Sequence, residues 1–458
     1  MNYWRKIAAV VCLSIALSIN AFGQTNSLAW HKADGLVDAD VHSETLLPLL
    51  RGIAGQTGWH IFVEPGTSHT ASTKFKNLPT GDALKRLLGD LNFALVPKDN
   101  GPSELYVFVT TMKNATRQVV AAKPPRHVPN ELLVKVKSGT DIKALAKILN
   151  AKVTGEIDKY GVYQLQFADA NAADAALSQL QNNSDVQAVD YNNYFDPPPT
   201  PQSVQAGAGA ASPLSLQPSP PSSNGKVVVA LIDTSVDVQS LGPDAAQFIL
   251  PPINVGNGTS SDSSPTHGTA MAGTLLGTIQ NIQSTMGNDS TSVQIQPINV
   301  YGASGEQTTS WDVLNGLEQA AKAGDPIINM SLGSSGDSPI LDQFASQMAT
   351  EGYTIFAAAG NTPTGDPYYP AADSGVHAVT AFSMPGQLAS YANTWPDPTM
   401  IALPGTSVFN FNGQPWAVSG TSTSTVEATG VYATYAANGW SQSQIFPAML
   451  KKFPVPAQ

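Results

Sequence analysis

Residues 226–237, KVVVALIDTSVD, decide the fold of the larger part of this 458-residue chain. A continuous apolar run of this kind is typical of a strand that a parallel sheet buries on both faces. The run ends at Asp233, and functional side chains in open α/β sheets tend to lie where such strands end. The segments VQIQPINVY, DPIINMSLG and GYTIFAAAGN repeat the pattern further along the chain. We therefore expect one sheet built from several buried strands.

Helical segments separate these strands. WDVLNGLEQAAKAG has apolar residues at positions 311, 314 and 317, and a last helix is predicted from near Ser422 to about Asn438. VHAVTAF and TMIAL are two further predicted strands. Strands that alternate with helices predict an α/β fold with a doubly wound, mainly parallel sheet over residues 225–458.

Two small α+β modules are predicted ahead of this domain. Residues 30–111 follow the order helix, strand, strand, helix, strand, strand, and the first helix ends at Gly58. Residues 127–195 follow the order strand, helix, strand, strand, helix, strand, which is the ferredoxin-like order. Residues 196–224 hold eight prolines among Ser, Ala and Gly, which predicts an extended, exposed linker that is open to proteolysis.

Residues 1–23 have the layout of a secretory signal peptide. Arg5 and Lys6 precede an apolar run, and small residues follow where a signal peptidase cuts. A retained anchor is the alternative, but no later stretch has the ~18 uninterrupted apolar residues of a transmembrane helix. We expect a secreted or periplasmic protein with no transmembrane segment after cleavage. The single cysteine, Cys12, lies in the apolar run, which excludes disulfides, thiol catalysis and cysteine–zinc sites from the mature chain.

The net charge of −11 is spread unevenly along the chain. From residue 225 onward there are four lysines, no arginine and sixteen acidic residues, a net charge of −12. The first 224 residues have nineteen basic and eighteen acidic residues, a net charge of +1. An acidic C-terminal half repels nucleic acid and anionic lipid, so we expect no nucleic-acid partner.

Three polar residues of the C-terminal domain are candidates for catalysis. His267 lies where the polar loop of THGTAMAGTLLG enters a small-residue helix, whereas His377 lies among strand-forming residues and is predicted to be structural. Asp233 ends a buried strand, whereas its competitor Asp237 lies further into the loop and is expected to be solvated or a local cap. Ser422 lies two residues after Gly420 at a predicted helix N-terminus, where backbone N–H groups stabilise negative charge.

The order Asp233, His267, Ser422 is that of the subtilisin-type serine proteases. The segments IDTSVD, HGTAMAG, INMSLGSSG, AAAGN and SGTSTST resemble blocks of this family in the same succession, as do YYPAA, LASYAN and ALPG between them. The resemblance covers roughly residues 225–440. It implies a serine endopeptidase that acts on extended polypeptides, with Ser422 as nucleophile, His267 as base and Asp233 as the carboxylate that orients the imidazole. A lipase or esterase is not favoured, because the chain lacks the G-x-S-x-G elbow and the matching triad order.

The resemblance also implies the rest of the site. Asn361 of AAAGN matches the side-chain donor to the oxyanion, and the alternative for it is a loop amide that caps its own backbone. Small residues imply a roomy, largely apolar pocket without a strict basic preference, although tight sheet packing would also explain them. The predicted substrate-binding residues are Ser331, Leu332, Gly333, Gly302 and Ala303 along the edges that pair with the peptide, and Ala358, Ala359 and Gly360 beside the pocket.

Three positions depart from the family pattern. Ser235 stands in place of a glycine, Ser424 in place of an alanine, and Val426 in place of a proline. None of these changes removes a catalytic group, although they leave open whether activity is reduced. The chemistry requires no cofactor. The resemblance implies that structural calcium can bind, but the sequence does not identify its ligands.

The resemblance also bears on the two small modules. Subtilase propeptides have a ferredoxin-like fold, assist folding and block the cleft with a C-terminal tail, and VQAVDYNNYF occupies the matching place in residues 127–195. We therefore predict self-cleavage within residues 197–224, after the poor site PPP at 197–199. Residues 30–111 resemble the short N-terminal domain of secretins and TonB-dependent receptors, which predicts a cell-envelope protein as partner. The alternative function is a binding protein that acts through this first module and whose protease fold is catalytically weakened.

Overall fold

The computed structural model describes residues 27–31, 35–98, 101–119, 126–204, 213–220, 227–258, 263–302, 305, 307–384 and 386–456. The predicted signal peptide and Ala303 lie outside the described residues. The chain forms two compact units, Met1–Ala121 and Ala122–Gln458, which are taken in turn.

The described residues of the first unit form two small sheets and two amphipathic helices. The sheets have the strand orders β1-β2-β4 and β5-β6-β3-β7, and β3 and β6 are the parallel pair among them. The first helix ends at Gly58, as predicted, and this glycine adopts the left-handed conformation with φ of 77°. The elements are β1 (Ser27–His31), β2 (Leu36–Thr45), α1 (Leu46–Thr57), β3 (His60–Val63), β4 (Thr70–Pro79), α2 (Thr80–Leu88), β5 (Asn92–Val96), β6 (Glu104–Phe108) and β7 (Arg117–Val119).

The second unit begins with the ferredoxin-like module. Its four strands pair antiparallel in the order β11-β8-β10-β9, which confirms the predicted topology. The elements are β8 (His127–Val136), α3 (Ile142–Ile148), β9 (Lys152–Ile157), β10 (Val162–Gln166), α4 (Ala170–Gln181) and β11 (Val186–Asn193).

The described parts of the proline-rich linker lie against the larger domain. β12 (Gln202–Ser203) and β13 (Gln217–Pro218) each pair with a strand of that domain. The prediction of an exposed linker is wrong at Leu216, which is 2% exposed and belongs to the main core. The side chain of Gln280 holds this stretch, because its amide nitrogen donates to the carbonyl of Pro213 at 3.1 Å.

The larger domain has the predicted doubly wound sheet, with strand order β15-β17-β14-β18-β19-β20-β21 and β22 also paired with β20. All neighbours are parallel except β20 and β21. Its elements are β14 (Val227–Asp233), α5 (Pro243–Ala246), β15 (Ile253–Asn254), α6 (His267–Thr285), β16 (Ser290–Thr291), β17 (Val293–Asn299), α7 (Ser310–Ala323), β18 (Ile327–Met330), α8 (Pro339–Thr350), β19 (Thr354–Ala358), β20 (Val376–Met384), β21 (Gln387–Leu388), β22 (Ile401–Pro404), β23 (Thr406–Phe411), β24 (Gln414–Ser419), α9 (Thr421–Ala437) and α10 (Gln442–Lys452).

The apolar run of β14 is buried on both faces of the sheet, because helices cover both sides. Val229 and Leu231 point into a core shared with α6 and α9. Ala230 and Ile232 point into a second core shared with α7 and α8. This alternation is why the strand has no polar residue before Asp233.

The ferredoxin-like module packs on the α7 and α8 side of the sheet. The Asn192 side-chain oxygen accepts the backbone N–H of Trp311 at 2.9 Å, at the first turn of α7. The rings of Tyr160 and Phe344 lie 4.1 Å apart, centroid to centroid. These contacts bring the end of β11, and the linker after it, to the edge of the sheet where Asp233 lies.

Candidate active site

Asp233 and His267 form a buried pair at the end of β14. The imidazole Nδ1 of His267 donates to the two carboxylate oxygens of Asp233, at 2.8 and 2.9 Å. Both residues are at most 3% exposed. His267 reaches this position because α6 starts directly against the strand end. A Cβ at Gly268 would lie 2.2 Å from the carbonyl oxygen of Thr234, so only glycine permits that approach.

Ser422 lies in the first turn of α9, after a glycine that adopts a φ of 152°. Its hydroxyl donates to the backbone carbonyl of Ser331 at 3.0 Å, and the Ser331 hydroxyl donates to the backbone carbonyl of Ser422 at 3.0 Å. Nε2 of His267 is buried and has no hydrogen-bond partner among the described residues. The structure thus joins Asp233 to His267 and turns the hydroxyl of Ser422 towards Ser331.

Asn361 follows β19 and lies beside the start of α9. Its side-chain oxygen accepts the backbone N–H of Thr421 at 2.8 Å and the Thr421 hydroxyl at 3.1 Å. These bonds occupy the oxygen end of the amide, and Nδ2 has no hydrogen-bond partner within the described residues. A Cβ at Gly420 would lie 3.1 Å from this Nδ2, so a side chain there would crowd the amide. The amide therefore has a free donor next to Ser422.

Most of the predicted substrate-binding residues line one small cavity of about 30 Å³ that is shared with linker residues 196–199. Ala359 does not line it; its N–H donates to the carbonyl of Val379, and its side chain lies in the α7–α8 core. Gly302 also lies apart from the cavity, and its N–H donates to Gln307. The predicted residues that line the cavity are Ser331, Leu332, Gly333, Ala358, Gly360, Asn361 and Ser422.

The sequence did not predict three residues of the cleft, namely Thr308, Thr309 and Tyr368. The backbone N–H of Phe195 donates to the carbonyl of Thr308 at 3.0 Å, and Tyr194 forms an antiparallel bridge with Thr309. The Tyr368 hydroxyl donates to the carboxylate of Asp196 at 2.7 Å. Thr308 and Thr309 resemble an ordinary helix start, so nothing local marks them. Tyr368 lies in YYPAA, which resembled a family block and could have been singled out.

The two competing residues lie outside this arrangement. The ring of His377 lies 3.8 Å from that of Phe446, and burial lowers the pKa of His377 to about 4. The carboxylate of Asp237 accepts the backbone N–H and the hydroxyl of Ser240, at 3.2 and 2.6 Å. Asp237 is therefore a local cap.

The three departures from the family pattern fit the fold without strain. Ser235 is not among the non-glycine residues with positive φ, so the turn after Asp233 avoids the left-handed region. The Ser424 hydroxyl donates to the carbonyls of Leu403 and Pro404, at 3.0 and 2.9 Å. Val426 is fully buried in the main core.

Within the described residues, no three His, Cys, Asp or Glu side chains come together in a way that could hold a metal ion. The carboxylate set that calcium prefers is not gathered there. The structural calcium implied by the resemblance stays a prediction.

Among the residues that the structure describes, no helix is both long and apolar enough to cross a membrane.

Two protein families match separate parts of the chain. Residues 224–453, half of the chain, match the profile of the subtilase family, and residues 113–192 match that of the fervidolysin N-terminal prodomain. The resemblance of residues 30–111 to the short N-terminal domain of secretins and TonB-dependent receptors stays a prediction, as do the exact domain limits.

Individual relatives agree with these matches. Alkaline elastase YaB of Bacillus sp. (strain YaB) is 31% identical over 235 residues, which are 48% of this chain and 57% of that protein. Subtilisin Savinase of Lederbergia lenta is 31% identical over 230 residues, which are 48% of this chain and 80% of that protein. The chain thus spans little more than half the length of the alkaline elastase. Among solved structures, fervidolysin from Fervidobacterium pennivorans, a keratinolytic enzyme related to subtilisin, has a TM-score of 0.53 at 18% identity and covers 70% of this chain and 57% of that one.

Proposed function

Because this chain belongs to the subtilase family, we propose that it is a serine endopeptidase that hydrolyses peptide bonds of extended polypeptides. The observation that supports this most is the buried pair of Asp233 and His267, in which both carboxylate oxygens accept from Nδ1. This bond holds the proton of a neutral imidazole on Nδ1 and leaves Nε2 as the acceptor that a serine hydroxyl needs.

In the proposed reaction, the hydroxyl of Ser422 turns to Nε2 of His267, gives up its proton, and its oxygen attacks the substrate carbonyl carbon. The negative charge of the tetrahedral intermediate is stabilised by Nδ2 of Asn361 and by the backbone N–H groups at the start of α9. His267 then passes the proton to the leaving nitrogen, and the C–N bond breaks to leave an ester on Ser422. Water, deprotonated by His267, hydrolyses this ester and restores the serine.

We propose that substrates bind as an extra strand in the cleft. The carbonyls of Thr308 and Gly333 already accept backbone N–H groups from an extended segment, so they would accept those of a substrate in the same way. Ala358 and Gly360 would border the pocket for the residue before the scissile bond. The assignments of Ala359, Gly302 and Ala303 to substrate binding remain predictions from the resemblance.

A fluorophosphonate probe, which reacts with an activated serine hydroxyl, tests this proposal. We expect covalent labelling of the wild-type chain once self-cleavage has freed the cleft, and no labelling of Ser422→Ala. Ser424→Ala is the matched control, because Ser424 lies in the same helical turn with its hydroxyl bonded to two backbone carbonyls. Equal labelling of Ser422→Ala and wild type would remove Ser422 from its role. Absence of labelling in every form, together with absence of casein hydrolysis, would favour the alternative of a binding protein with a weakened protease fold.

Three further proposals complete this function. The protein is secreted or periplasmic and is made as a precursor that undergoes self-cleavage within residues 197–224. Residues 30–111 bind a cell-envelope protein. Structural calcium stabilises the larger domain, in which case a chelator should lower its melting temperature and added calcium should restore it.

A further inference from the structure

The linker passes right through the candidate active site. On the entry side, the backbone N–H groups of Phe195 and Asp196 donate to the carbonyls of Thr308 and Gly333, each at 3.0 Å. Residues 197–199 then line the cavity that contains Ser422.

On the exit side, β12 continues the segment as an extra strand. Gln202 and Ser203 pair antiparallel with Ala417 and Trp416 of β24. The N–H of Val204 donates to the carbonyl of Pro415 at 3.1 Å. Residues 196–204, here called the cleft segment, are therefore held on both sides of Ser422.

The contacts define the direction of the cleft segment past the nucleophile. Asp196 is bonded to Gly333, whereas the ring of Pro199 lies 3.2 Å from a Cβ built on Gly420, next to Asn361. The carbonyl of Ser331 accepts the hydroxyl of Ser422, so Ser422 lies at the Ser331 end of residues 331–333. The cleft segment therefore runs from Gly333 towards Ser422, in the chain direction opposite to that of residues 331–333. The bond presented to Ser422 therefore lies among residues 196–199.

Each peptide bond in that range has a proline on its carboxyl side, since the sequence is Asp196 followed by three prolines. The leaving nitrogen would be part of a ring, without an N–H, and its ring carbons stand where the imidazole must deliver a proton. This conclusion holds for all three bonds and does not depend on which of them faces Ser422.

The prolines also explain the position of the nucleophile. In an antiparallel strand pair, hydrogen-bonded positions recur every two residues. If Asp196 bonds to Gly333, then Pro198 falls opposite Ser331, where an ordinary residue would donate its N–H to the Ser331 carbonyl. Pro198 has no N–H, and that carbonyl accepts the Ser422 hydroxyl instead. The hydroxyl is thus drawn away from Nε2 of His267.

We propose that the cleft segment is a substrate-like inhibitor whose three prolines prevent Ser422 from cutting the chain that fills its own cleft. This proposal rests on the proposed function and specifies how it is regulated. It gives a structural reason why the predicted self-cleavage falls after residues 197–199, because the bonds from 196 to 199 occupy the cleft without being cut. Any processing must occur further along the linker, and the cleft segment must then leave before a substrate can enter.

The test replaces the prolines in the full-length chain. The variant Pro197→Ala/Pro198→Leu/Pro199→Ser supplies ordinary N–H groups, and Pro220→Ala is the matched control at an exposed linker proline. Cleavage is followed by intact mass and N-terminal sequencing, and casein hydrolysis is measured in parallel. We expect the triple variant to cut itself within residues 196–200 at least tenfold faster than wild type and Pro220→Ala. This cut should vanish when Ser422→Ala is added.

Two results would overturn the proposal while leaving the proposed function intact. One is cutting of the wild-type chain at a bond between 196 and 199 that depends on Ser422. The other is a triple variant that hydrolyses casein but stays intact within residues 196–200. Pro199→Ser alone repeats the test with a single ring removed, in case the triple variant does not fold. Absence of casein hydrolysis and of fluorophosphonate labelling in all forms would instead refute the proposed function itself.

Discussion

A single methyl group at Gly155 should weaken the packing of the ferredoxin-like module against the larger domain. Gly155 lies in β9 and packs directly against the indole of Trp311 in α7. A Cβ at this position would lie 2.0 Å from Cζ2 and 2.6 Å from Cε2 of Trp311. The indole would have to move by about 1.4 Å to reach an ordinary contact distance of 3.4 Å.

The sign of the change in the free energy of unfolding distinguishes the clash with Trp311 from the intrinsic effect of replacing glycine by alanine. Overpacking of this kind costs about 1–3 kcal/mol. Replacing glycine by alanine in a strand without strain would instead stabilise the chain by about 0.4–1 kcal/mol, through the unfolded state. We expect a net destabilisation of about 1–2 kcal/mol for Gly155→Ala. In a domain of this size, that corresponds to a melting temperature roughly 2–8 °C lower.

The assay is thermal unfolding of the full-length chain in a Ser422→Ala background, so that proteolysis does not interfere. Trp311→Ala provides the matched control, because it removes the ring that the new methyl group would meet. In that background Gly155→Ala should be neutral or stabilising, and the difference between the two backgrounds is the coupling energy of the pair. An unchanged or higher melting temperature for Gly155→Ala alone would refute the packing of β9 against α7.

Three other predictions each concern a single residue. Asn361→Ala should lower kcat/KM by about 10²–10³. Asn361→Asp should lower it at least as much, because Asp keeps the acceptor for the Thr421 N–H but has no donor. A loss of only a few fold would contradict the oxyanion role. Burial raises the pKa of Asp373 to about 8, so stability should fall as the pH rises from about 4 through 8. Asp373→Asn should make the fall of the melting temperature between pH 5 and pH 9 less steep. A fall as steep as in wild type would assign this pH dependence to other groups. Ser424→Ala should lower the melting temperature by about 2–4 °C, because two backbone carbonyls lose a hydrogen-bond donor worth about 1 kcal/mol. An unchanged melting temperature would show that the hydroxyl of Ser424 contributes nothing to stability.

Much of the fold could be predicted from the sequence, because burial patterns and helix starts depend on residues that are close together in the chain. The run VVVALI is uniformly apolar since both faces of β14 are covered, and its burial follows from that pattern alone. The start of α9 was predicted within one residue, because a glycine followed by small hydroxyl residues marks a helix beginning. The ferredoxin-like order of residues 127–195 followed from the alternation of periods along the chain.

The places of Asp233 and His267 at a strand end and a helix start made them candidates, and the family resemblance implied that the carboxylate orients the imidazole. The structure joins the two side chains by hydrogen bonds. The sequence did not identify Thr308 and Thr309 as the residues that pair with Tyr194 and Phe195, because they serve locally as a helix start. It placed the linker in solvent, whereas Leu216 is buried. The composition of a linker predicts its stiffness, and it does not predict which groove of a distant domain its apolar residues fit.

The sequence by itself determined the helices and strands, their order and the polar residues at their ends, because these features depend on neighbours a few positions away. Only the tertiary structure decided that three prolines lie against Ser422, that its hydroxyl is turned to Ser331, and that Gly155 touches Trp311. These contacts join residues far apart in the chain. Their geometry depends on how whole elements pack, and no local pattern records it.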